Sequence, residues 1–162
     1  PPPPPPPPPP PHHAPPPTET STFIASSAAS DVYKRQAWSD APIAYEGCMV
    51  AGFPNYYFVT GPNTGVGSTS MIFMIEQSAR WIVQCIKAAG EQGLIAPTRE
   101  AMLAYDAEIQ SALASTVWAT SCRSWYKRDD GRITVLYPYN ARTYRKRHRV
   151  FHEEDFAITR PT

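Results

Sequence analysis

The residues best placed to do chemistry lie in the run Gly61-Pro62-Asn63-Thr64-Gly65-Val66-Gly67, followed by the hydroxyls of Ser68, Thr69 and Ser70 and then by an apolar periodic stretch. Glycines let the backbone take positive φ and let another molecule approach closely. A helix starting just beyond presents unpaired amides and the positive end of its dipole, which suit an anion or an electron-rich ring edge. Ahead of the turn, Tyr56-Tyr57-Phe58-Val59-Thr60 reads as a buried strand. The unit is therefore strand, glycine-rich turn and helix N-terminus. It is not a Walker loop, since no Gly-Lys-Ser/Thr follows, and the glycines do not fit the GxGxxG dinucleotide fingerprint. A turn that needs glycine for its own geometry accounts for the same residues equally well.

Other constellations carry less. His148 and His152 stand four apart, as a helical metal pair would, but no third ligand is in view and Glu153, Glu154 and Asp155 read as solvent-facing charge. No metal site is assigned. Arg142, Arg145, Lys146, Arg147 and Arg149, with Tyr139 and Tyr144, read as a solvated tail, because no nucleic-acid reading motif accompanies them. Cys48, Cys85 and Cys122 are odd in number and far apart, which fits reduced, mostly buried thiols. No Ser/His/Asp or Cys/His grouping has support from its surroundings, and no catalytic residue is assigned.

The elements that must position the turn follow from periodicity. Ile72, Ile75, Ala79, Ile82 and Ile86, widened by Met71, Met74 and Trp81, form one apolar stripe and predict a largely buried helix, with N-cap hydroxyls among Ser68, Thr69 and Ser70 and ends at Gly90 and Gly93. Pro97 and Thr98 introduce a second, amphipathic helix with Glu100 in its first turn and Met102, Tyr105, Ile109 and Ala112 on one side. Asp129-Asp130-Gly131 is a turn signal ahead of a strand-like run, Ile133 to Tyr137.

Residues 1–36 differ in kind. Most of the chain's 20 prolines fall in Pro1 to Pro11 and Pro15 to Pro17, and Thr18 to Ser30 is rich in Ser, Thr and Ala. Such a segment cannot bury a core and is expected to be disordered and extended. Asp31-Val32-Tyr33-Lys34-Arg35-Gln36 resembles the in-frame translation of a transposon-end sequencing adapter, which makes the segment an expected artefact and puts the start of the globular part at Ala37. The competing reading is an adaptor whose polyproline recruits an SH3 or WW domain. A net charge of +1 gives no field for nucleic acid or an anionic membrane, and no apolar run approaches the roughly 20 residues of a spanning helix. A soluble, cytoplasmic protein is expected.

Gly52-Phe53-Pro54-Asn55, then Gly61-Pro62-Asn63-Thr64, Ser70 and Phe73-Met74-Ile75-Glu76 resemble the last FAD-domain strand and helix of Baeyer–Villiger and related flavin monooxygenases. Trp38, Tyr45 and Gly47 ahead, and Thr116-Val117-Trp118-Ala119, Cys122-Arg123-Ser124-Trp125-Tyr126 and Tyr144-Arg145 behind, resemble the same family's C-terminal order. The resemblance covers nearly all of Ala37 to Phe156. It implies an α/β fold in which residues 37–162 form the C-terminal part of a flavoprotein with two dinucleotide-binding domains. The implied cofactors are FAD and NADP, and the implied reaction is insertion of one oxygen atom from O2 into a ketone or aldehyde. Oxygenation of nitrogen or sulfur is the runner-up.

By the same resemblance, Gly61, Pro62, Asn63 and Thr64 lie against the pyrimidine side of the flavin, Ser70 and Met71 sit beside the flavin and the substrate cavity, and Trp125 lies near the nicotinamide cofactor or else packs as a core aromatic. The sequence departs from the family in lacking both GxGxxG motifs, the fingerprint between them and the arginine beside the oxygenated cofactor. Glu46 stands where the family has an apolar residue, and Ala41 where it has glycine. The chain alone is therefore expected to be inactive and poorly stable, with apolar surface exposed on the long helix.

Overall fold

The long helix, α1, runs over Met71–Ala89, starts on the Ser70 hydroxyl, which accepts from the Ile72 amide, and ends at Gly90 with φ of 75°. A computed structural model of the chain describes residues 38–67, 69–120 and 124–160. The Pro-rich segment, the adapter-like hexapeptide, Ser68 and Cys122-Arg123 lie outside the described residues. The chain divides after Arg35, and residues Gln36–Thr162 form a unit with their own core.

The buried face of α1 is Met74, Gln77, Ser78, Trp81, Ile82, Cys85 and Ala89. Most of the predicted stripe lies elsewhere: Ile72 (68% exposed), Ile75 and Ile86 look outward, together with Val83. Both faces of α1 carry apolar residues, so spacing alone could not choose between them. The winning face is the one whose larger, flatter groups meet partners: Trp81 tilts against Tyr45 and Phe156, and Ser78 hydrogen-bonds the Tyr144 hydroxyl at 2.8 Å. The outward face is the exposed apolar surface expected of the long helix.

Strand β1, Leu94–Pro97, pairs antiparallel with β2, Phe156–Thr159, in the register Ile95 to Ile158 and Pro97 to Phe156. Four-residue strands of this kind are too short to read from sequence, and a two-stranded ribbon is marginal by itself. Packing against α1 supports it, and Asn55 covers its outer edge. There the Asn55 amide donates to the Ile95 carbonyl (2.9 Å), its Oδ1 accepts from the Ile95 amide (3.1 Å) and its Nδ2 donates to the Gly93 carbonyl (3.0 Å).

Helix α2, Arg99–Ala114, begins at Thr98, whose hydroxyl accepts from the Ala101 amide, and buries Met102, Tyr105, Ile109 and Leu113. A 3-10 turn follows at Val117–Ala119, then the short helix α3, Ala141–Arg147, capped by Asn140, and a second 3-10 turn at Glu153–Asp155. No helix among the described residues is long and apolar enough to cross a membrane.

The two strands predicted around the turn do not form. Tyr56–Thr60 makes one isolated bridge, Tyr57 with Met49, and Ile133–Tyr137 makes two, Ile133 with Lys127 and Leu136 with Gly65. Both segments are largely apolar, but a strand needs a ladder of backbone partners along its length, and the backbone bends at Val59, Thr60 and Val135. Phe58 donates its amide to the Cys48 carbonyl, yet Val59 and Thr60 are exposed and gain no continuing ladder. The turn at Asp129-Asp130-Gly131 does form, with Gly131 at φ of 87° and the Arg128 amide on the Arg132 carbonyl.

Candidate functional site

The glycines of the 61–67 turn are spent on the chain's own packing. A Cβ on Gly61 would sit 2.3 Å from the Gly47 carbonyl oxygen. Gly47 itself has φ of +68°, and a Cβ there would meet Thr64 Cγ2 at 2.3 Å and the Pro62 carbonyl at 3.0 Å. Two turns thus interlock backbone to backbone, and only glycine fits at both contact points.

Asn63, also at positive φ (56°), is buried and consumes its donors internally. Its amide reaches the Thr134 carbonyl at 2.9 Å, and its Nδ2 donates to the carbonyls of Ile133 and Leu136, both at 2.9 Å. Buried Thr64 donates its hydroxyl to the Gly61 carbonyl at 2.7 Å. Gly65 exchanges backbone hydrogen bonds with Val135 and Tyr137. The turn is therefore pinned to residues 133–137 on one side and to Gly47 on the other.

The open part of the site is the start of α1. Ser70 and Met71 are exposed, Thr69 is half-buried, and no carboxylate lies in the first helical turn. That leaves the dipole's positive end uncompensated. Just ahead, Gly67 lies under Trp118, where a Cβ would touch the ring at 3.3 Å. Trp118 meets Tyr126 edge to face, with centroids 5.8 Å apart, and Tyr126 meets Trp125 in the same way at 5.9 Å. This ladder leads from the approach to α1 out to Trp125, which is 82% exposed. An indole left that bare forfeits roughly 2 kcal/mol of available burial. Chain connectivity joins Gly61–Thr64 to Ser70 and Met71, and the ladder ties Trp125 to Gly67. None of these residues lines the cavities beside Glu108, Glu46 or Asp130. The arrangement is an open face with amides, hydroxyls and an aromatic ring, suited to one side of a flat, electron-rich ligand.

No protein-family model matches the chain. A Baeyer–Villiger monooxygenase of Pseudomonas aeruginosa is 35% identical over 130 residues, which cover 76% of this chain and 24% of that protein. Over this stretch the chain is similar to about a quarter of a Baeyer–Villiger monooxygenase. An FAD-binding monooxygenase of Aspergillus niger is 37% identical over 116 residues, covering 67% of this chain and 19% of that protein. The crystal structure of cyclohexanone monooxygenase from Rhodococcus sp. Phi1 bound to NADP+ superimposes with a TM-score of 0.64 over 78% of this chain and 25% of that one, at 24% identity, which establishes a shared fold. The chain spans about a quarter of the length of the relatives it matches.

Beneath the turn lies a polar cluster that sequence reasoning missed. Glu46 is buried, with φ of 49°. Its Oε1 accepts from Arg147 Nε at 3.0 Å, while Arg147 Nη1 and Nη2 grip Glu108 at 2.6 and 3.1 Å and the guanidinium lies 5.2 Å from the Tyr105 ring centre. Burial pushes the Glu46 carboxyl up, and the Arg147 charge pulls it back only in part. Glu108 goes the other way, held below the usual range by its hydrogen bonds from Arg147.

This corrects the reading of Arg147 as part of a solvated tail: two carboxylates, 39 and 101 residues upstream, claim it. Asp155 is likewise no purely solvent-facing charge, since Tyr45 donates its hydroxyl to it at 2.5 Å. A cavity of about 250 Å³ lies beside Tyr45, Glu46, Trp81 and Arg147. The one available signal was Glu46 itself, a carboxylate at an expected apolar position, which needs a cation.

His148 caps α3 in the interior, while His152 is exposed, so the two do not present a common ligating face. His148 Nε2 lies 3.9 Å from Cys48 Sγ, a spacing that resembles a nucleophile and its base. The protonation states speak against that chemistry, for burial pushes the thiol up to about 12 and the imidazole down to about 4. Both partners stay neutral, and a neutral buried thiol is inert.

Proposed function

We propose that this chain supplies one wall of the flavin site in an FAD- and NADPH-dependent monooxygenase that inserts an oxygen atom from O2 into a ketone or aldehyde. The observation that carries the reading is the positive end of α1, with Ser70 and Met71 exposed and no carboxylate in its first turn, placed just after a turn that the rest of the chain holds in place. The names of the relatives supply the chemistry: a Baeyer–Villiger monooxygenase, an FAD-binding monooxygenase and an NADP+-bound cyclohexanone monooxygenase.

The residues fit a flavin in a divided way. Pro62 and the Gly61 backbone offer half-buried surface, Ser70 offers a hydroxyl, Met71 a soft apolar contact, and the α1 amides a positive field toward a ring that gains negative charge on reduction. Asn63 and Thr64 act from behind, because their side-chain donors are committed to Ile133, Leu136 and Gly61. Trp125, exposed at the end of its ladder, is the contact for the nicotinamide cofactor. FAD reduced by NADPH supplies the activation of O2, and this chain positions and polarises the ring without donating a catalytic side chain of its own. We place the reaction in the cytoplasm, where reduced Cys48 and Cys85 and a nicotinamide supply are compatible.

The test is a chimera in which residues 38–160 replace the aligned stretch of the Pseudomonas aeruginosa relative. The expected product purifies yellow, retains FAD and oxidises NADPH, and Trp125→Ala in it raises the KM for NADPH. A chimera that is folded and monodisperse but colourless overturns the reading.

A further inference from the structure

The interlocked turns give the polar cluster a route to the flavin-facing wall. Glu46 immediately precedes Gly47, and both residues hold positive φ. Gly47 bears directly on Gly61, Pro62 and Thr64. A left-handed glutamate is strained, and such a conformation persists only where its surroundings hold it. Two holders are visible: the backbone closes the turn through Cys48 N to the Tyr45 carbonyl (2.9 Å) and Tyr45 N to the Met49 carbonyl (2.7 Å), and Arg147 at the end of α3 binds the Glu46 side chain through Nε while itself fixed on α2 by both oxygens of Glu108.

We propose that Arg147 is a positioning residue whose guanidinium, anchored on Glu108, fixes the Glu46-Gly47 turn and through it the placement of Gly61 to Thr64. The coupling stands on the geometry alone; its consequence for flavin rests on the function proposed above. The second carboxylate oxygen of Glu46 is buried without a hydrogen-bond partner, so Arg147 is the one strong side-chain restraint on the group. Removing that restraint leaves the turn to its backbone bonds alone and lets the Glu46 side chain and the Gly47 contact shift.

The protonation of Glu46 offers a handle on the coupling. The other groups facing it are Glu108 on α2, His148 at the end of α3, which is 3.9 Å away and neutral above about pH 4, and His152 beyond α3. Tyr105 and Tyr45 also adjoin it, and burial keeps both phenols neutral in the working range.

The experiment follows the backbone amides of Gly47, Gly61, Asn63 and Thr64 by ¹H–¹⁵N correlation spectra of the 162-residue chain between pH 4 and 8, without flavin. In the wild-type chain these amides are expected to titrate with one common midpoint. Glu46→Gln abolishes that titration while leaving the Ile95 and Ile158 amides of the β ribbon in place. Arg147→Met raises the midpoint by about 1–3 units, because the neighbouring cation is gone, and Arg147→Lys restores at least half of that shift.

Gln at position 46 keeps an acceptor for Arg147 Nε, so this arm reads out even if Arg147→Met unfolds the chain. A midpoint shared by Gly47 but absent from Gly61 to Thr64 overturns the coupling, as does a titration that survives Glu46→Gln. FAD retention by the chimera is a separate measurement, and its failure would strike the flavin reading while leaving these amide shifts intact.

Discussion

His148 makes the stability of this fold depend on pH with a sign that the structure settles. The imidazole is 2% exposed, stacks on Tyr144 with centroids 3.9 Å apart, and uses Nδ1 on the Tyr144 carbonyl at 3.0 Å. With Nδ1 donating, Nε2 is the atom that would take a proton, and it faces Cys48 in the interior. Burial above all, with the adjacent Arg147 charge, lowers its pKa from 6.5 to about 4.

As pH falls below 6.5 the unfolded chain binds a proton that the native chain refuses until about pH 4, so stability is complete above 6.5 and is lost through that window. Integrating the proton linkage gives a loss of about 2 kcal/mol between pH 7.5 and pH 5. Glu46 runs the other way, because a carboxyl raised in the folded state adds stability at low pH that is lost as pH rises through its native pKa. The two are separated by His148→Asn, which keeps a donor for the Tyr144 carbonyl and removes the titration.

Urea unfolding followed by tryptophan fluorescence, run on both chains at pH 5, 6 and 7.5, measures the difference. The wild-type chain should lose about 2 kcal/mol more than the variant across this range. Parallel pH profiles for the two chains, differing by less than about 0.5 kcal/mol in slope, would refute the argument that a buried neutral imidazole drives the effect.

Gly47→Ala should destabilise by about 3 kcal/mol, since its Cβ collides with Thr64 at a positive φ, whereas Gly52→Ala, with positive φ but open space, should cost only about 1 kcal/mol; thermal melts of the pair read the difference. Asn63→Ala strands two carbonyls and should cost about 2–4 kcal/mol in urea unfolding. Ile72→Glu should leave stability within about 0.5 kcal/mol and reduce self-association in sedimentation runs, while Met74→Ala on the same helix should cost about 2–5 kcal/mol. Cys48 and Cys85, with thiols pushed up to about 12, should resist alkylation at pH 7.5 by peptide mapping until the chain is unfolded.

What was legible in this sequence was whatever local chemistry decides. The N-caps at Ser70 and Thr98, the Gly90 stop, the Asp129-Asp130-Gly131 turn and the α2 face, but for Leu113 buried where Ala112 was expected, depend on residues within a few positions of each other. The buried face of α1 was not legible, because Ile72, Ile75 and Ile86 are as apolar as Met74 and Trp81, and only the distant Tyr45, Tyr144 and Phe156 decide which side is inside. Strand identity failed for the same reason at Tyr56–Thr60 and at Ile133–Tyr137, where apolar runs lack ladders, while the real ribbon at Leu94–Pro97 owes its outer edge to one asparagine forty residues earlier.

The candidate site shows the limit most clearly. The turn was found from its glycines, but the property that marked it, room for a close neighbour, turned out to serve Gly47 at Gly61 rather than a ligand. The residues with exposed donors and surface, Ser70, Met71 and Trp125, have no distinctive spacing of their own and were named only through the family resemblance; the structure shows all three exposed. A sequence motif of this kind therefore marks the rigid support more reliably than the contact surface, and variants of Gly61, Asn63 and Thr64 should be read first as stability variants. Only the share of any loss in flavin binding that survives correction for unfolding belongs to the site.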